Sequence, residues 1–272
     1  MNPEHNRTAA HFRSLHTSQK PLALSNAWDV ASAVITEAAG APAVATTSAG
    51  VAWSLGMPDG DRLDRERAVA VIASIVRAVN VPVTADIEGG YSETLEGIAG
   101  TVADILAAGA VGINMEDGSR DPDEFCARIS AARDAAQHAG NDLFINARTD
   151  VFLAGDGTVQ QQIAEALARA EKYVEAGADG IFVPGASDAD TIAALTAGIS
   201  VPVNVMVGAG SLSVTELGRL GVSRVSLGSS VAQAAYAVAQ RAAAELNTAG
   251  TYTAVNEAID YGSLNGLFAG SN

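Results

Sequence analysis

Four charged residues end apolar runs in the middle of this 272-residue chain. Asp86 and Glu88 stand in VPVTADIEGG, Glu116 in GINMEDG and Arg148 in LFINARTD. Asp86 and Glu88 are two residues apart, so on a strand their side chains share a face. Three carboxylates converging with no lysine nearby would repel one another. A hard divalent cation resolves that conflict, and oxygen-only ligands with room for water favour Mg²⁺, with Mn²⁺ the second choice. The other role open to these acids is capping the helices that follow. The planar fork of Arg148 suits a substrate carboxylate; an ion pair with Asp150 or Glu116 is the alternative, and both can hold. The turn Thr46-Thr47-Ser48-Ala49-Gly50 adds hydroxyls and backbone N–H groups for an anion.

Other reactive residue types give weaker signals. His5, His11, His16 and His138 show no metal-ligand spacing and read as surface residues. Cys126 lies inside the amphipathic stretch DEFCARISAARDA, where a packed thiol is expected. Trp28 and Trp53 read as strand-end residues that line either the site or the core. Ser119-Arg120 is the nearest pair able to contact a phosphonate.

Elements that would position these residues recur about every 30 residues. EAAGAPAVATT, LAAGAVGINME, EAGADGIFVP and RLGVSRVSLG each read as a helix ending at glycine, which tolerates the left-handed conformation of a helix C-terminus, followed by a short apolar strand. With LALSNA, VPVTADIE, LFINARTD and VPVNVMV they make eight strands, at about 22–24, 43–47, 82–86, 111–116, 143–148, 180–184, 201–206 and 223–227. Strands this uniformly apolar are covered on both faces, as in a parallel sheet. Strands alternating with helices, without a long linker, predict one (β/α)₈ TIM barrel over residues 1–272 rather than an open sheet. Residues 229–272 exceed one closing helix and read as a C-terminal helical extension that packs on a neighbouring subunit. In such a barrel the site lies at the C-terminal strand ends, where the polar residues collect, including Asn204 on strand 7.

Composition narrows the partners. The formal net charge of −15 opposes binding to nucleic acid or to anionic membrane. No apolar run reaches the length of a membrane span, and the first twenty residues show no signal-peptide core. One cysteine excludes an internal disulfide and suits a reducing compartment, so a cytoplasmic protein is expected. With only 16 Lys and Arg residues, an anionic substrate is naturally held through a metal ion.

Taken in order, PLALSNAWDVASA, TTSAGVAWSLGMPDG, TADIEGGY, GINMEDG, INARTD and VNVM resemble the isocitrate lyase/phosphoenolpyruvate mutase superfamily, from about Phe12 to Phe268. The resemblance implies a (β/α)₈ barrel whose subunits exchange the last helix, usually as homotetramers. It implies Asp86 as the direct Mg²⁺ ligand, with Asp59, Glu88 and Glu116 holding the water shell. It further implies Thr47, Ser48 and Ala49 around the substrate carboxylate and oxo group, with Arg148 and Asn204 as further contacts. Asp59, Glu116 and Arg148 are the expected catalytic residues, and the expected substrate is a small anionic 2-oxo acid or enolpyruvate-type molecule.

Three departures limit that resemblance. Glu88 stands where relatives often have Asp. EDGSRDPDEFCARI has no room for the Lys-Lys/Arg-Cys-Gly-His lid of isocitrate and methylisocitrate lyases, and Gly118 replaces the mutase lid lysine. Val183-Pro184-Gly185 lacks the His or Glu that some members place after strand 6. Without the lid cysteine, isocitrate cleavage lacks its proton donor. A metal-stabilised enolate formed by carbon–carbon cleavage, as in oxaloacetate decarboxylation, asks less of the protein. Phosphonomutase or phosphonopyruvate hydrolase chemistry is the alternative. Two further readings are a phosphate-binding barrel isomerase, using Gly208-Ala209-Gly210-Ser211 and Gly228-Ser229-Ser230, and a catalytically inactive binding relative.

Overall fold

A computed structural model describes residues 3–17 and 19–269. Eight parallel strands follow the expected order: β1 (Leu22–Leu24), β2 (Val44–Ala45), β3 (Val83–Asp86), β4 (Gly112–Glu116), β5 (Phe144–Arg148), β6 (Gly180–Phe182), β7 (Val203–Met206) and β8 (Arg224–Ser226). Each lies within its predicted span, most shorter by one to three residues. The ladder runs β1-β8-β7-β6-β5-β4-β3-β2, and an isolated parallel bridge between Ala27 and Thr46 joins β1 to β2. The sheet is a (β/α)₈ TIM barrel.

Helices alternate with the strands. In chain order they are α1 (Pro3–Ser14), α2 (Val30–Ala38), α3 (Ser48–Ser54), α4 (Arg65–Ala78), α5 (Leu95–Ala108) and α6 (Pro122–His138). Then follow α7 (Val151–Ala154), α8 (Val159–Glu175), α9 (Ala189–Gly198), α10 (Val214–Arg219), α11 (Ser230–Thr248) and α12 (Tyr261–Phe268). Their starts are capped as composition predicts. The Asp29, Asp64, Thr94, Asp121 and Thr158 side chains each accept a backbone N–H of the first turn. Ile98, Val102, Ile105, Phe125, Ile129 and Tyr173 bury the apolar faces of α5, α6 and α8 against the sheet in the main core.

The lower end of the lumen is closed by α1. Phe12 packs edge-on against Phe144, and His16 stacks on Phe144 at 4.1 Å. His16 is therefore buried, contrary to its reading as a surface residue: at the end of α1 it faces the barrel floor, not solvent. His11 and His138 are exposed. Cys126 is partly buried on α6, against the main core. Past α11 the chain turns at Gly250 and brings α12 against α2. This extension leaves Leu246, Tyr252, Ile259 and Tyr261 exposed; residues 270–272 of the predicted extension lie outside the described residues.

Candidate active site

The C-terminal strand ends surround a cavity of about 170 Å³. Thr47, Ser48, Ala49, Asp59, Asp86 and Arg148 line it, together with Asn26, Asn114, Phe182, Met206, Ser226 and the Gly228-Ser229 turn. Six of the nine residues expected from the sequence thus converge here. Glu116 borders it through Arg148, while Glu88 and Asn204 lie behind its wall.

The turn after β2 leads straight into α3, so Ser48 and Ala49 begin a helix whose first N–H groups have no intrahelical acceptor. Gly50 permits this close approach: a Cβ there would lie 2.7 Å from the Trp28 Cβ. The Ser48 backbone N–H (2.9 Å) and hydroxyl (2.8 Å) both donate to Asp86 Oδ2, and the Asp86 N–H donates to Thr46 Oγ1. The Asp86 carboxylate is fixed at the mouth by residues of the neighbouring strand.

Glu88 departs from the expected strand geometry. β3 ends at Asp86, and Glu88 has φ of 52°, so the two side chains do not share a strand face. The left-handed turn buries the Glu88 carboxylate against the loop after α3, where Oε2 accepts the Asp61 N–H. Oε1 has no partner among the described residues. Burial, with the Asp61, Asp59 and Asp86 charges adding to it, raises the Glu88 pKa to about 7. Glu116, at the end of β4, is raised to about 8, chiefly by burial, against the opposing pull of Arg148. Burial and the charge of Asp86 raise Asp59 too.

Arg148 makes both of the ion pairs weighed for it. Nη1 lies 2.5 Å from Glu116 Oε2, and Nε and Nη2 donate to the two Asp150 oxygens at 2.6 and 3.0 Å. Asp150 is held in turn by Asp117, which is fully buried. Asp117 Oδ1 accepts the Asp150 N–H, while Oδ2 accepts from the Tyr173 hydroxyl and Arg169. A buried network reaching α8 therefore orients the fork of Arg148.

Several residues fall elsewhere than expected. Arg120 pairs with Asp61 at 3.1 Å, outside the cavity, so it is engaged at the loop rather than presented to a phosphonate. Trp53 is on α3, not at a strand end, and Trp28 and Trp53 pack near Tyr236 of α11 at 6.3 and 6.4 Å. Asn204 is buried, with Oδ1 accepting from Ser226, which lines the cavity in its place. The Gly208–Ser211 turn closes on itself, the Gly208 N–H donating to Ser211 Oγ, and does not line the cavity. Sequence reading missed Asn26 and Asn114. Asn26 has φ of 59°; its amide donates to Thr46 O and its Oδ1 accepts the Gly228 N–H, tying three strand ends together. Its only sequence signal was a polar residue two positions after β1.

Among the described residues, no group of three or more His, Cys, Asp and Glu side chains is close enough to ligate a metal directly. What converges is negative charge, on Asp59, Asp86, Glu88 and Glu116, beyond what Arg148 neutralises. Crowded carboxyls, two of them raised in pKa by burial and one with an unpartnered buried oxygen, fit a hydrated cation. Mg²⁺ keeps several waters and takes one or two carboxylates directly.

A TIM barrel with a small acidic cavity at its C-terminal mouth, floored by one arginine fork and one helix N-terminus, defines a class of enzymes acting on small anions. More specifically, residues 12–247 match the phosphoenolpyruvate phosphomutase family, and the chain belongs to that family, within the isocitrate lyase/PEP mutase superfamily. An uncharacterised protein of Mycobacterium tuberculosis H37Rv is 41% identical over 218 residues, covering 80% of this chain and 81% of that one. The 2-methylisocitrate lyase of Escherichia coli K12 is 30% identical, covering 71% and 67%. The structure of a phosphonopyruvate hydrolase with oxalate and Mg²⁺ superposes with a TM-score of 0.80 at 25% identity, covering 95% of each chain. No helix among the described residues is long and apolar enough to cross a membrane.

Proposed function

We propose that this protein is an Mg²⁺-dependent carbon–carbon lyase that breaks the bond one carbon removed from the oxo carbon of a small 2-oxo diacid, with oxaloacetate decarboxylation as the reference reaction. The observation that carries this reading is the cavity itself. It sets the N-terminus of α3 and the Arg148 fork around one small space bordered by the acid cluster. When bound, the cation supplies a Lewis acid for substrate oxygens, and Mn²⁺ is expected to substitute for it. Asp86 would hold it directly, with Asp59, Glu88 and Glu116 bonded to its water shell.

The chain's own residues do the rest. At the Thr47-Ser48-Ala49 turn the Thr47 and Ser48 N–H groups are engaged by Ala27 O and Asp86, so the Ala49 N–H and the Thr47 hydroxyl would meet the substrate carboxylate and oxo oxygen. Arg148, locked by Glu116 and Asp150, would stabilise the negative charge that develops on that oxygen as the bond from the adjacent carbon to the departing carboxylate breaks. In a decarboxylation the electron pair of that bond passes into the enolate and CO₂ departs. Solvent can then deliver the proton, so no lid cysteine is needed. Phosphonate chemistry is the second reading, favoured by the family and by the phosphonopyruvate hydrolase neighbour; the engagement of Arg120 with Asp61 weighs against it. The exposed apolar residues of the C-terminal extension support a homotetramer with exchanged helices.

Calorimetric titration with oxalate, a flat dianion resembling an enolate, tests the site. Binding that requires Mg²⁺ is the expected result, followed by release of pyruvate and CO₂ from oxaloacetate above the rate with free metal. Binding indifferent to Mg²⁺, or none, overturns the reading.

A further inference from the structure

Arg224 opens β8 in the run RLGVSRVSLG, between Val222-Ser223 and Val225. It is 1% exposed, among the largest side chains wholly inside the protein, and no carboxylate pairs with it among the described residues. Among the described residues its one side-chain hydrogen bond runs from Nη2 to Asn114 Oδ1 at 3.2 Å, and Nε and Nη1 have no partner there. Burying a guanidinium without a counter-ion is costly, so its retention asks for a reason. Burial lowers its pKa, only to about 10, which leaves it charged at neutral pH.

The groups around it are few. Among the described residues, Asp86 is the one acid whose charge it feels. His16 faces it from the floor and is held neutral in part by that charge. Asn114 stands beside it, and lines the cavity above. The Asn114 Oδ1 accepts from Asn146 Nδ2 at 2.9 Å as well as from Arg224. Two donors on one oxygen fix the carboxamide, because the reverse orientation would set an NH₂ group against a cation. The end left for the cavity is the Asn114 NH₂, a donor. Ser226, two residues beyond Arg224 on the same strand face, lines the cavity too.

We infer that Arg224 is a positioning residue of the substrate site, holding Asn114 with its amide donor toward the cavity and supplying positive charge to a bound anion from beneath the floor. The charge balance shows why the site uses it. Asp59, Asp86, Glu88 and Glu116 outnumber the single Arg148 at the mouth, and a divalent cation alone does not turn that balance positive. Arg224 offsets a further negative charge and so favours binding of an anion. The inference rests on the reading of the cavity as a 2-oxo acid site, and it adds a residue at the foot of β8 to that site.

Arg224→Met, of similar length and uncharged, separates this role from a structural one. Oxalate titrated at saturating Mg²⁺ is expected to bind at least tenfold more weakly than to the unaltered protein. Mg²⁺ titrated alone is expected to bind severalfold more tightly, because a like charge near Asp86 has gone. A purely structural residue would weaken both together alongside a fall in Tm, and that result overturns the inference, as does no change in either. Arg224→Lys, which keeps the charge, should retain most of the oxalate affinity; a loss as large as in the Met variant overturns the electrostatic role. If the Met variant does not fold, Arg224→Gln carries the same two titrations. Failure of the unaltered protein to bind oxalate would sink the 2-oxo acid reading alone, since the Mg²⁺ titration still reads Arg224.

Discussion

The two ends of the barrel lumen bury titratable groups in opposite ways. At the floor, His16 lies between rings, its Nδ1 donating to Phe12 O, and burial with the nearby Arg224 lowers its pKa to about 3. The fold keeps it neutral. At the mouth, Glu116 and Glu88 are raised to about 8 and about 7, chiefly by burial, with neighbouring carboxylates adding to the shift. The structure separates the ends by residue type: aromatic rings meet at the floor, while acids from β3, β4 and the loop after α3 meet at the mouth. The floor is arranged for stability, and the mouth stores repulsion that a bound cation would relieve. Natural proteins commonly give up stability at a functional site in this way.

That contrast is broken most directly at its two centres. Asp86→Ala should lower Mg²⁺-dependent turnover by about three orders of magnitude or more while Tm moves by only a few degrees. Steady-state kinetics beside thermal melting decide it, and unchanged activity would sink the metal-site assignment. Phe12→Ala should do the reverse. Deleting a fully buried ring costs about 3–5 kcal/mol of stability, and denaturant unfolding reads that loss. Its oxalate affinity should stay within about twofold of the unaltered protein, below the roughly 1.4 kcal/mol that would mark a tenfold change. Comparable losses of binding and stability in both variants would mean that the lumen acts as one unit rather than two.

A pH series sharpens the comparison. The unfolded chain protonates His16 below 6.5 and the folded one only near 3, so this stabilisation is present above 6.5 and lost as pH falls through that window. The slope from one such group is at most about 1.4 kcal/mol per pH unit. Glu116 and Glu88 act with the opposite sign. The folded state holds their protons above 4.5, a contribution lost as pH rises through about 7 to 8. The difference between the unaltered protein and His16→Phe cancels the acids. Unfolding free energies at pH 7.5, 6 and 5 should show the variant losing less stability on acidification; parallel curves would remove His16 from the account.

How far these ends were legible in sequence differs in kind. All eight strands could be placed from their short apolar runs, four of them directly behind helix-ending glycines, and Asp86 and Arg148 could be placed because they end such runs. Glu88 could not, since period-two reasoning fails once the backbone turns left-handed at φ of 52°. Asn204 and Ser226 were exchanged as cavity residues because pairing across β7 and β8 decides which layer each occupies. His16 was misplaced because nothing local shows that α1 plugs the floor. Arg224 was passed over: an arginine within an apolar strand is usually read as an edge residue until closure of the barrel buries it.

The smallest expected effect concerns whether the mouth recruits a thiol. Cys126 sits in α6, and the charges it feels belong to Asp121, Asp123, Lys172 and Glu175, on or beside the outer helices α6 and α8 rather than at the strand ends. Burial raises its pKa, and nucleophilic or proton-transferring cysteines need the opposite shift. Cys126→Ser should therefore leave kcat and KM within about twofold and change stability by roughly 1 kcal/mol or less. A loss of several orders of magnitude in kcat, with Tm unchanged, would mean that α6 or the loop before it moves to carry the thiol over the cavity. The mouth would then be completed by a lid, and the contrast with the static floor would become one of motion as well as charge.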